Sequence, residues 1–495
     1  MQLAELILDA GVLAHAGPLA VEVRQLTADS RAVEQGDVFV CLPGYRTEGG
    51  ETRADRHDFI PMALARGARA LVVEREQAPI HGVTVVRVAD CWAAIAAMSC
   101  RFFGNPSSSL RMVGVTGTCG KTSTTYFIDA VLSAAGQLCA RLGTVEYRIG
   151  SQVWAAAQTT PEAPELQRLL RLAVDRGATA AVMEVSSHAL ALRRVAGIAF
   201  DVAVFTNLSQ DHLNFHPDMH HYLRAKGRLF EELASGGKAA TAVVNTDDLA
   251  SAHIIAVNRG RLLTYGIESA ADVRARGLAM ALDGVSFSAD TPCGSLEVSL
   301  RHLGEYSVYN ALAAIGTGVA MGIPLAQIRA GLAQAPPVPG RFELVDCGQD
   351  FGVAVDYAHK PDALERLLAS ARTLKPKRLI TVFGCGGDRD RGKRPLMGRI
   401  AARLSDLVIV TSDNPRSEEP AAIIAEITHG LAGSATSYRV EPDRAAAIDL
   451  AITLAQPGDL VLIAGKGHET YQLFADRRIE FDDREVARAA IARHR

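Results

Sequence analysis

The stretch that most restricts the fold is "RMVGVTGTCGKTSTTYFIDAVLSAAG", which begins at Arg111. An apolar run enters a glycine-rich turn, and the turn opens directly into a long run with helical periodicity. Strand, tight turn and helix in that order are the opening of a parallel α/β sheet, because the chain must return along a sheet face through a packed helix. The turn also has the composition of a phosphate loop. A Walker A loop is G-x-x-x-x-G-K-[ST], yet the position five residues before Gly120 is Val115. What remains is the shorter G-x-x-G-K-T of Gly117, Thr118, Cys119, Gly120, Lys121 and Thr122, followed by Ser123. Backbone N–H groups at a helix N-terminus suit phosphate oxygens. Lys121 adds a positive charge near the β- and γ-phosphates, and the Thr122 hydroxyl suits Mg²⁺. A plain glycine turn with a surface lysine is the rival, and it does not account for strand, turn, Lys-Thr and helix together.

The same alternation continues on both sides. Residues 1–108 hold the apolar runs "DVFVCL", "ALVVE" and "VTVVRV", and "GNPSSSL" reads as a linker. "TAAVMEV" and "DVAVFTN" are further buried strands after the phosphate loop. A second break falls at "QAPPVPGR", beyond which "RLITVFG", "DLVIVTS" and "DLVLIAG" form another set of strands ending in polar loops. The expected class is α/β with three domains, 1–108, 109–338 and 339–495, in a chain of 495 residues at about 150 residues per domain. The last is expected to be doubly wound, with ligands off the carboxyl ends of its strands.

Several classes are disfavoured. A net charge of −3 with mixed acids and bases is not the footprint of a nucleic-acid binder. The eight cysteines include no C-x-x-C pair, so neither a zinc site nor a disulfide framework is indicated. "MQLAELILDAGVLAHAG" carries Glu5 and Asp9 and reads as an amphipathic helix rather than a signal peptide. The uncharged run from Ala311 to Ile328 contains Pro324 and three glycines, so it reads as a buried helix and turn, not a membrane span. A cytoplasmic monomer with no membrane insertion is expected.

Polar groups follow several strands. Glu184 in "MEVSSHALALRRV" is an oxygen ligand suited to Mg²⁺, and Ser186, Ser187 and His188 stand beside it. "FTNLSQDHLNFH" adds Asn207 and His212. Singly, each would be a capping or core residue; together they converge on one sheet edge.

"GTCGKT", "EVSSHAL", "TNLSQDHLNFH" and "YLRAKGRLF", continued by "YNALAAI", "GRFE" and "DYAHKPDAL", resemble the Mur ligase family of ATP-dependent amide ligases. The resemblance implies an N-terminal UDP-binding α/β domain, a central P-loop ATPase-like domain and a C-terminal Rossmann-like domain. It implies nucleotide contacts for Asn310, Arg341 and Asp356, with His359 nearby. It places Thr122, Glu184, His212 and Lys226 about the metal, with Lys121, Lys226 and His212 serving catalysis. Lys226 corresponds to a lysine that is carbamylated by CO₂ in the family, which turns a cation into a carboxylate-like ligand; on spacing alone Lys226 is an ordinary helix-surface lysine. Three departures stand out: Cys119 where the family commonly has Asn, Ser307 in "EYSVYN" for "FNVYN", and Leu192 where relatives have Gln.

"LTADSRAVEQGDVFVCLPG" resembles the UDP-binding domain of the muropeptide ligases. Ala28 and Ser30 are thereby expected at the uridine moiety, with Tyr45, Arg46 and Thr47 on a loop that varies in the family. Thr159, Thr160, Ser186, Leu192 and Arg194 are expected on UDP-N-acetylmuramoyl-L-alanyl-D-glutamate. In the C-terminal part, Arg389, Asp413, Asn414, Pro415, Arg416, Gly465 and Glu469 form a mixed-charge set suited to a zwitterion. "DNPR" there resembles the branch that adds meso-diaminopimelate, and lysine-adding relatives usually differ. The expected chemistry is phosphorylation of a carboxylate by ATP with Mg²⁺, then attack by the amine on the acyl phosphate. The rivals are a lysine-adding synthetase, a folylpolyglutamate synthetase and a P-loop ATPase that forms no covalent product.

Overall fold

A computed structural model describes residues 1–46, 52–281 and 284–494. Internal contacts divide the chain into two units. The first comprises Met1–Arg276, Ala289–Leu296 and Tyr309–Gln334. The second comprises Gly277–Ser288, Glu297–Val308 and Ala335–Arg495.

The first unit begins with a five-stranded sheet in the order Val12–Ala16, Thr84–Val88, Ala70–Val73, Val38–Val40, Leu26–Thr27. Only the Val12–Ala16 edge is antiparallel. Every residue of Val38–Val40 and of Ala70–Val73 is buried, which is why these runs read as continuously apolar rather than alternating. The N-terminal stretch corrects the sequence reading. The helix covers only Leu3–Leu6, and after Gly11 (φ 65°) the chain becomes the exposed edge strand Val12–Ala16. The local pattern could not show that this segment pairs with Thr84–Val88. "GNPSSSL" is likewise no free linker. Pro106–Ser109 is a 3₁₀ turn pinned by Ser107, whose Oγ accepts from Ala199 N at 3.2 Å and whose carbonyl accepts from Lys238 Nζ at 2.9 Å.

The second sheet has eleven strands, and its centre determines the site. Arg111–Thr116 lies between Ala180–Glu184 and Val202–Phe205, all parallel. Register pairs Glu184 with Val115 and Phe205 with Thr116, so the three strands end level. Their order reverses at Arg111–Thr116, and the crevice at such a reversal is where α/β sheets bind ligands. Ala311–Ile328 is part of a helix (Glu305–Ala320), a turn and the start of a second helix (Leu325–Ala333). Among the described residues no helix is long and apolar enough to cross a membrane.

The second unit contains a six-stranded sheet in the order Glu343–Leu344, Gly352–Asp356, Leu460–Ala464, Leu379–Phe383, Leu407–Val410, Ser437–Val440. It is parallel except at Glu343–Leu344. One apolar cluster on each face, around Leu368 and Met397 and around Ile448 and Ile491, buries the sheet. The molecule is thus an α/β protein, and among the described residues its three large sheets are mostly parallel.

Candidate active site

Two glycines shape the loop after Arg111–Thr116. Gly117 has φ 149° and Gly120 φ 84°, and Gly120 precedes the helix Lys121–Ala134. The strand-end segment after Val202–Phe205 grips the loop from one side. Asn207 Oδ1 accepts from Cys119 N at 2.9 Å, and Asn207 Nδ2 donates to Cys119 O at 3.1 Å. Thr206 Oγ1 donates to the same carbonyl at 2.6 Å. Cys119 is therefore fixed here through its backbone. Thr118 N donates to Asn207 O, and the Thr118 hydroxyl lies 3.0 Å from Tyr222 Oη. Asn310 sits on the other side: its Oδ1 accepts from Thr124 Oγ1 at 3.1 Å, and a Cβ at Gly120 would lie 2.5 Å from it. Lys121 Nζ folds back onto the carbonyls of Gly117 and Thr118, 2.9 Å from each. Ser123 is half-buried in the helix's first turn.

Glu184 is buried and highly bonded. Its Oε1 accepts from Thr122 Oγ1 at 3.0 Å and from Thr144 N at 2.8 Å. Its Oε2 accepts from Thr144 Oγ1 at 3.1 Å. Its main-chain carbonyl accepts from Thr160 Oγ1 at 2.8 Å, and Thr159 Oγ1 lies 3.0 Å from Thr144 Oγ1. Thr160 Oγ1 also accepts from the N–H of Ser186, whose own Oγ caps the helix Ser187–Ala191. Thr144 escaped the sequence reading, although it too follows a strand, Cys139–Leu142, of the same sheet.

Lys226 is not a surface residue. It lies on the buried face of the helix Met219–Glu231 with 1 % exposure, donates to Gly117 O at 2.7 Å and sits 4.5 Å from the Tyr222 ring centroid. A histidine group adjoins it. His188 packs edge-on against His212, ring centroids 4.8 Å apart, and tilted against Phe215 at 4.1 Å. His212 has φ 56°, and its Nε2 is 3.3 Å from Asp211 Oδ2. His216, unremarked inside "DHLNFH", lies 3.0 Å through Nε2 from Ser187 Oγ. Burial pushes its pKa down to about 4, helped by the neighbouring charges of His188 and Lys226.

A second polar group lies next to Thr160. Arg194 donates to Gln158 Oε1, to Thr160 O at 3.1 Å and to Tyr45 Oη at 3.4 Å. Tyr45 Oη in turn reaches Glu162 Oε1, which also binds Arg56 NH2 at 3.1 Å. Arg56 NH1 donates to Ala28 O at 2.7 Å. Ala28, Tyr45, Thr160 and Arg194 are thus brought together, through Arg56 and Glu162, which the sequence reading missed. Ser30 Oγ is buried against Met62 Sδ at 3.4 Å, and Leu192 is buried. Arg46 is exposed, and Thr47 lies outside the described residues.

In the second unit, Asp356 ends its strand with Oδ2 accepting from Phe342 N and Oδ1 from Ala358 N. Burial raises its pKa against the pull of Arg341, whose guanidinium lies 4.6 Å from the Tyr357 ring centroid. His359 holds Tyr357 O at 2.8 Å and is pushed down to about 3 by burial. The Ser307 hydroxyl donates to Leu303 O at 2.7 Å, in the segment just before its helix.

The zwitterion set is only partly assembled. Asn414 Nδ2 donates to Glu469 Oε2 at 2.8 Å, and buried Lys466 donates to the same oxygen at 3.1 Å. Arg416 (φ 53°) donates through NH1 to Gly387 O at 2.7 Å, and Pro415 O closes over Gly387. Glu418, one conceivable tether for Arg416, instead pairs with buried Arg394 at 2.8 Å. Arg389 is exposed and bonded to Asp388 O, and its Cγ flanks Gly386 beside Arg416 NH1 and Asn414 O. Asp413 faces Gly465, and Arg444, fully buried with Asp483, donates to Ser412 O and Ala464 O just before them.

The first-unit donors fit a nucleotide and a hard cation: a glycine-shaped loop with a lysine, and a threonine hydroxyl against a buried carboxylate.

Three family models match in sequence. "Mur ligase family, catalytic domain" covers residues 22–99, "Mur ligase middle domain" 115–318 and "Mur ligase, glutamate ligase domain" 340–467. A protein of Syntrophomonas wolfei named UDP-N-acetylmuramoyl-L-alanyl-D-glutamate--2,6-diaminopimelate ligase is 47 % identical over 488 residues, 98 % of each chain. A solved structure bearing the same name is 34 % identical, with a TM-score of 0.73 over 100 % of this chain and 99 % of the other. MurF ligase from Thermotoga maritima in complex with ADP is 20 % identical over 95 % of this chain and 97 % of its own, with a TM-score of 0.63, a likeness of fold.

Proposed function

This chain belongs to the Mur ligase family, and from that premise we propose that it is the ATP-dependent ligase that adds 2,6-diaminopimelate to UDP-N-acetylmuramoyl-L-alanyl-D-glutamate, a step of peptidoglycan precursor synthesis. We read the amine as the meso isomer. One observation carries the reading. Glu184 joins Thr122 of the phosphate loop through its carboxylate and Thr160 through its carbonyl. A carboxylate substrate held at Thr159, Thr160 and Arg194 therefore abuts the γ-phosphate end of a nucleotide on the loop.

A carboxylate is unreactive toward an amine in water. Transfer of the γ-phosphoryl group to the carboxylate oxygen releases ADP and gives an acyl phosphate. The amine attacks its carbonyl carbon, and phosphate leaves. Such chemistry depends on positioning and on charge stabilisation. Gly117–Gly120 cradle the phosphates, Lys121 follows the transferring group, and Asn310, Arg341 and Asp356 serve the nucleotide. Thr122 and Glu184 are proposed to hold Mg²⁺, which neutralises phosphate charge when bound. We further propose that Lys226 works as a carbamate beside His212, its burial next to Gly117 suiting a group that must lose its positive charge. Asp413, Asn414, Arg416, Gly465 and Glu469 are assigned to the amine substrate, with Arg389 at one of its carboxylates. Ala28 and Ser30 are assigned to the uridine end, Ser186 and Leu192 to the dipeptide end. The domain limits are placed at 1–108, 109–338 and 339–495, and the protein at work is assigned as a cytoplasmic monomer.

The test is mass-resolved product analysis with ATP, UDP-N-acetylmuramoyl-L-alanyl-D-glutamate and a panel of meso-diaminopimelate, L-lysine and L-glutamate. One new amide with meso-diaminopimelate and stoichiometric ADP is expected. ATP hydrolysis without amide, or equal use of lysine, overturns the assignment.

A further inference from the structure

The segment after the strand Thr241–Asn245 plays no part in the chemistry above, yet it touches both walls of the phosphate loop. Asn245 Nδ2 donates to Thr206 O at 2.8 Å. Asp248 Oδ2 accepts from Leu208 N at 2.9 Å. These two bonds bracket Thr206 and Asn207, the pair that binds the backbone of Cys119. Tyr265 adds a third hold by donating to Phe205 O at 3.1 Å. Asp247 faces the other wall. Its Oδ2 accepts from Tyr309 Oη at 2.9 Å, across 62 residues of sequence, and from the N–H groups of Ile267 and Glu268; Oδ1 accepts from Ser269 N at 2.7 Å. Tyr309 immediately precedes Asn310, the side chain that stands against Gly120 and Thr124.

A carboxylate with this many donors is committed as an acceptor. Burial opposes its charge, but the hydroxyl and N–H donors from Ser269, Ile267 and Glu268 outweigh burial and hold the carboxyl at about 2. Asn245 completes the unit locally, its Oδ1 accepting from Asp247 N at 3.1 Å.

We propose that Asn245, Asp247 and Asp248 form a brace that fixes the phosphate loop for nucleotide, with Asp247 acting through Tyr309 as a positioning residue for Asn310. The proposal rests on the nucleotide-site reading of Gly117–Thr122. Its physical basis is that a preformed loop does not have to be ordered when phosphate binds. Loosening either wall lets the loop sample shapes that bind poorly, while surfaces elsewhere in the chain are left as they were.

The clean perturbation is Tyr309→Phe, which removes one hydroxyl and keeps the ring. Asp247→Asn places an NH₂ group among donors, and the double variant closes a thermodynamic cycle. Binding of Mg-ADP to the full chain is measured by titration calorimetry, beside KM values for ATP, the UDP substrate and the amine. A hydrogen bond to a charged group predicts that each single variant weakens Mg-ADP binding by about tenfold. KM for ATP rises while KM for the UDP substrate and the amine stays within twofold. If the two side chains act through one bond, the double variant is no worse than the poorer single one. Wild-type affinity in Tyr309→Phe, or additive losses in the double variant, overturns the brace. An equal rise in all three KM values does so too, since it marks general destabilisation. A wild-type chain that binds no Mg-ADP overturns the nucleotide-site reading itself, and the brace with it.

Discussion

Gly117→Ala separates a shaped phosphate cradle from a merely flexible turn. A methyl carbon built at Gly117 would lie 1.8 Å from Thr206 Oγ1 and 3.1 Å from both Asn207 N and Thr206 Cβ. Real carbons do not approach so closely, so the loop must shift or Thr206 must turn away. Overpacking of this kind costs about 1–3 kcal/mol. The positive φ of 149° adds strain for any side chain, of the order of 1–2 kcal/mol. If Thr206 rotates, its 2.6 Å bond to Cys119 O is lost, roughly 0.5–1.5 kcal/mol more. Together these come to about 3–6 kcal/mol, concentrated in one loop. The surrounding strands are fully buried and stay in place, so the loop distorts and binding suffers. Mg-ADP affinity and kcat/KM for ATP are expected to fall by at least ~10²-fold, at about 1.4 kcal/mol per decade. The assay is titration calorimetry with Mg-ADP alongside coupled ADP release, with circular dichroism to check the fold. Adding Thr206→Ala removes the worst overlap and is expected to return about tenfold of the loss. A folded Gly117→Ala chain binding Mg-ADP within threefold of wild type refutes the reasoning, as does a double variant with no recovery.

Other expectations follow from the same geometry. Arg416→Ala frees the Gly387 carbonyl and removes a guanidinium assigned to the amine substrate, one able to pair with the carboxylate that meso-diaminopimelate has and L-lysine lacks. The kcat/KM preference for meso-diaminopimelate over L-lysine is expected to drop by ~10²-fold or more, with KM for the UDP substrate unchanged; retention of the wild-type ratio shows that Arg416 is not the selector. Lys226→Ala is expected to lose at least ~10²-fold in turnover and to regain part of it in acetate or formate. Absence of that rescue, together with intact mass showing an unmodified Lys226 in active enzyme, removes the carbamate. Burial pushes His216, His359 and His468 down from an ordinary 6.5 to about 4, about 3 and about 4. The unfolded chain therefore takes up protons first as pH falls, so their stabilising effect is whole above about pH 6.5 and is lost progressively toward pH 4. Urea midpoints measured from pH 7 to pH 4 are expected to decline, less steeply in His216→Gln; an unchanged slope in that variant shows that His216 is not among the groups responsible.

The sequence by itself determined the class of fold and which apolar runs become buried strands. Apolar runs without alternation mark strands buried on both faces, and such strands demand helices on each side. Glycines at 117 and 120 before Lys-Thr have the pattern of a phosphate loop, because a glycine-shaped turn into a helix N-terminus exposes backbone N–H groups. Both signals are local, and both are visible in a single line of residues. Tertiary structure decided which distant groups meet and which side chains lose their water. Lys226 on spacing is a helix-surface residue, and only the packing of its helix buries it against Gly117. The edge strand Val12–Ala16 exists because Thr84–Val88 offers an open hydrogen-bonding edge, which outweighs the helical pattern of its own residues. Thr144, Arg56 and Asp247 are unremarkable by type and position. They matter because strand register and helix docking carry Glu184, Glu162 and Tyr309 to within 3.1 Å of them. A hydrogen bond depends on distance in space, and distance in space across a parallel sheet is fixed by strand order, which no local stretch of sequence encodes.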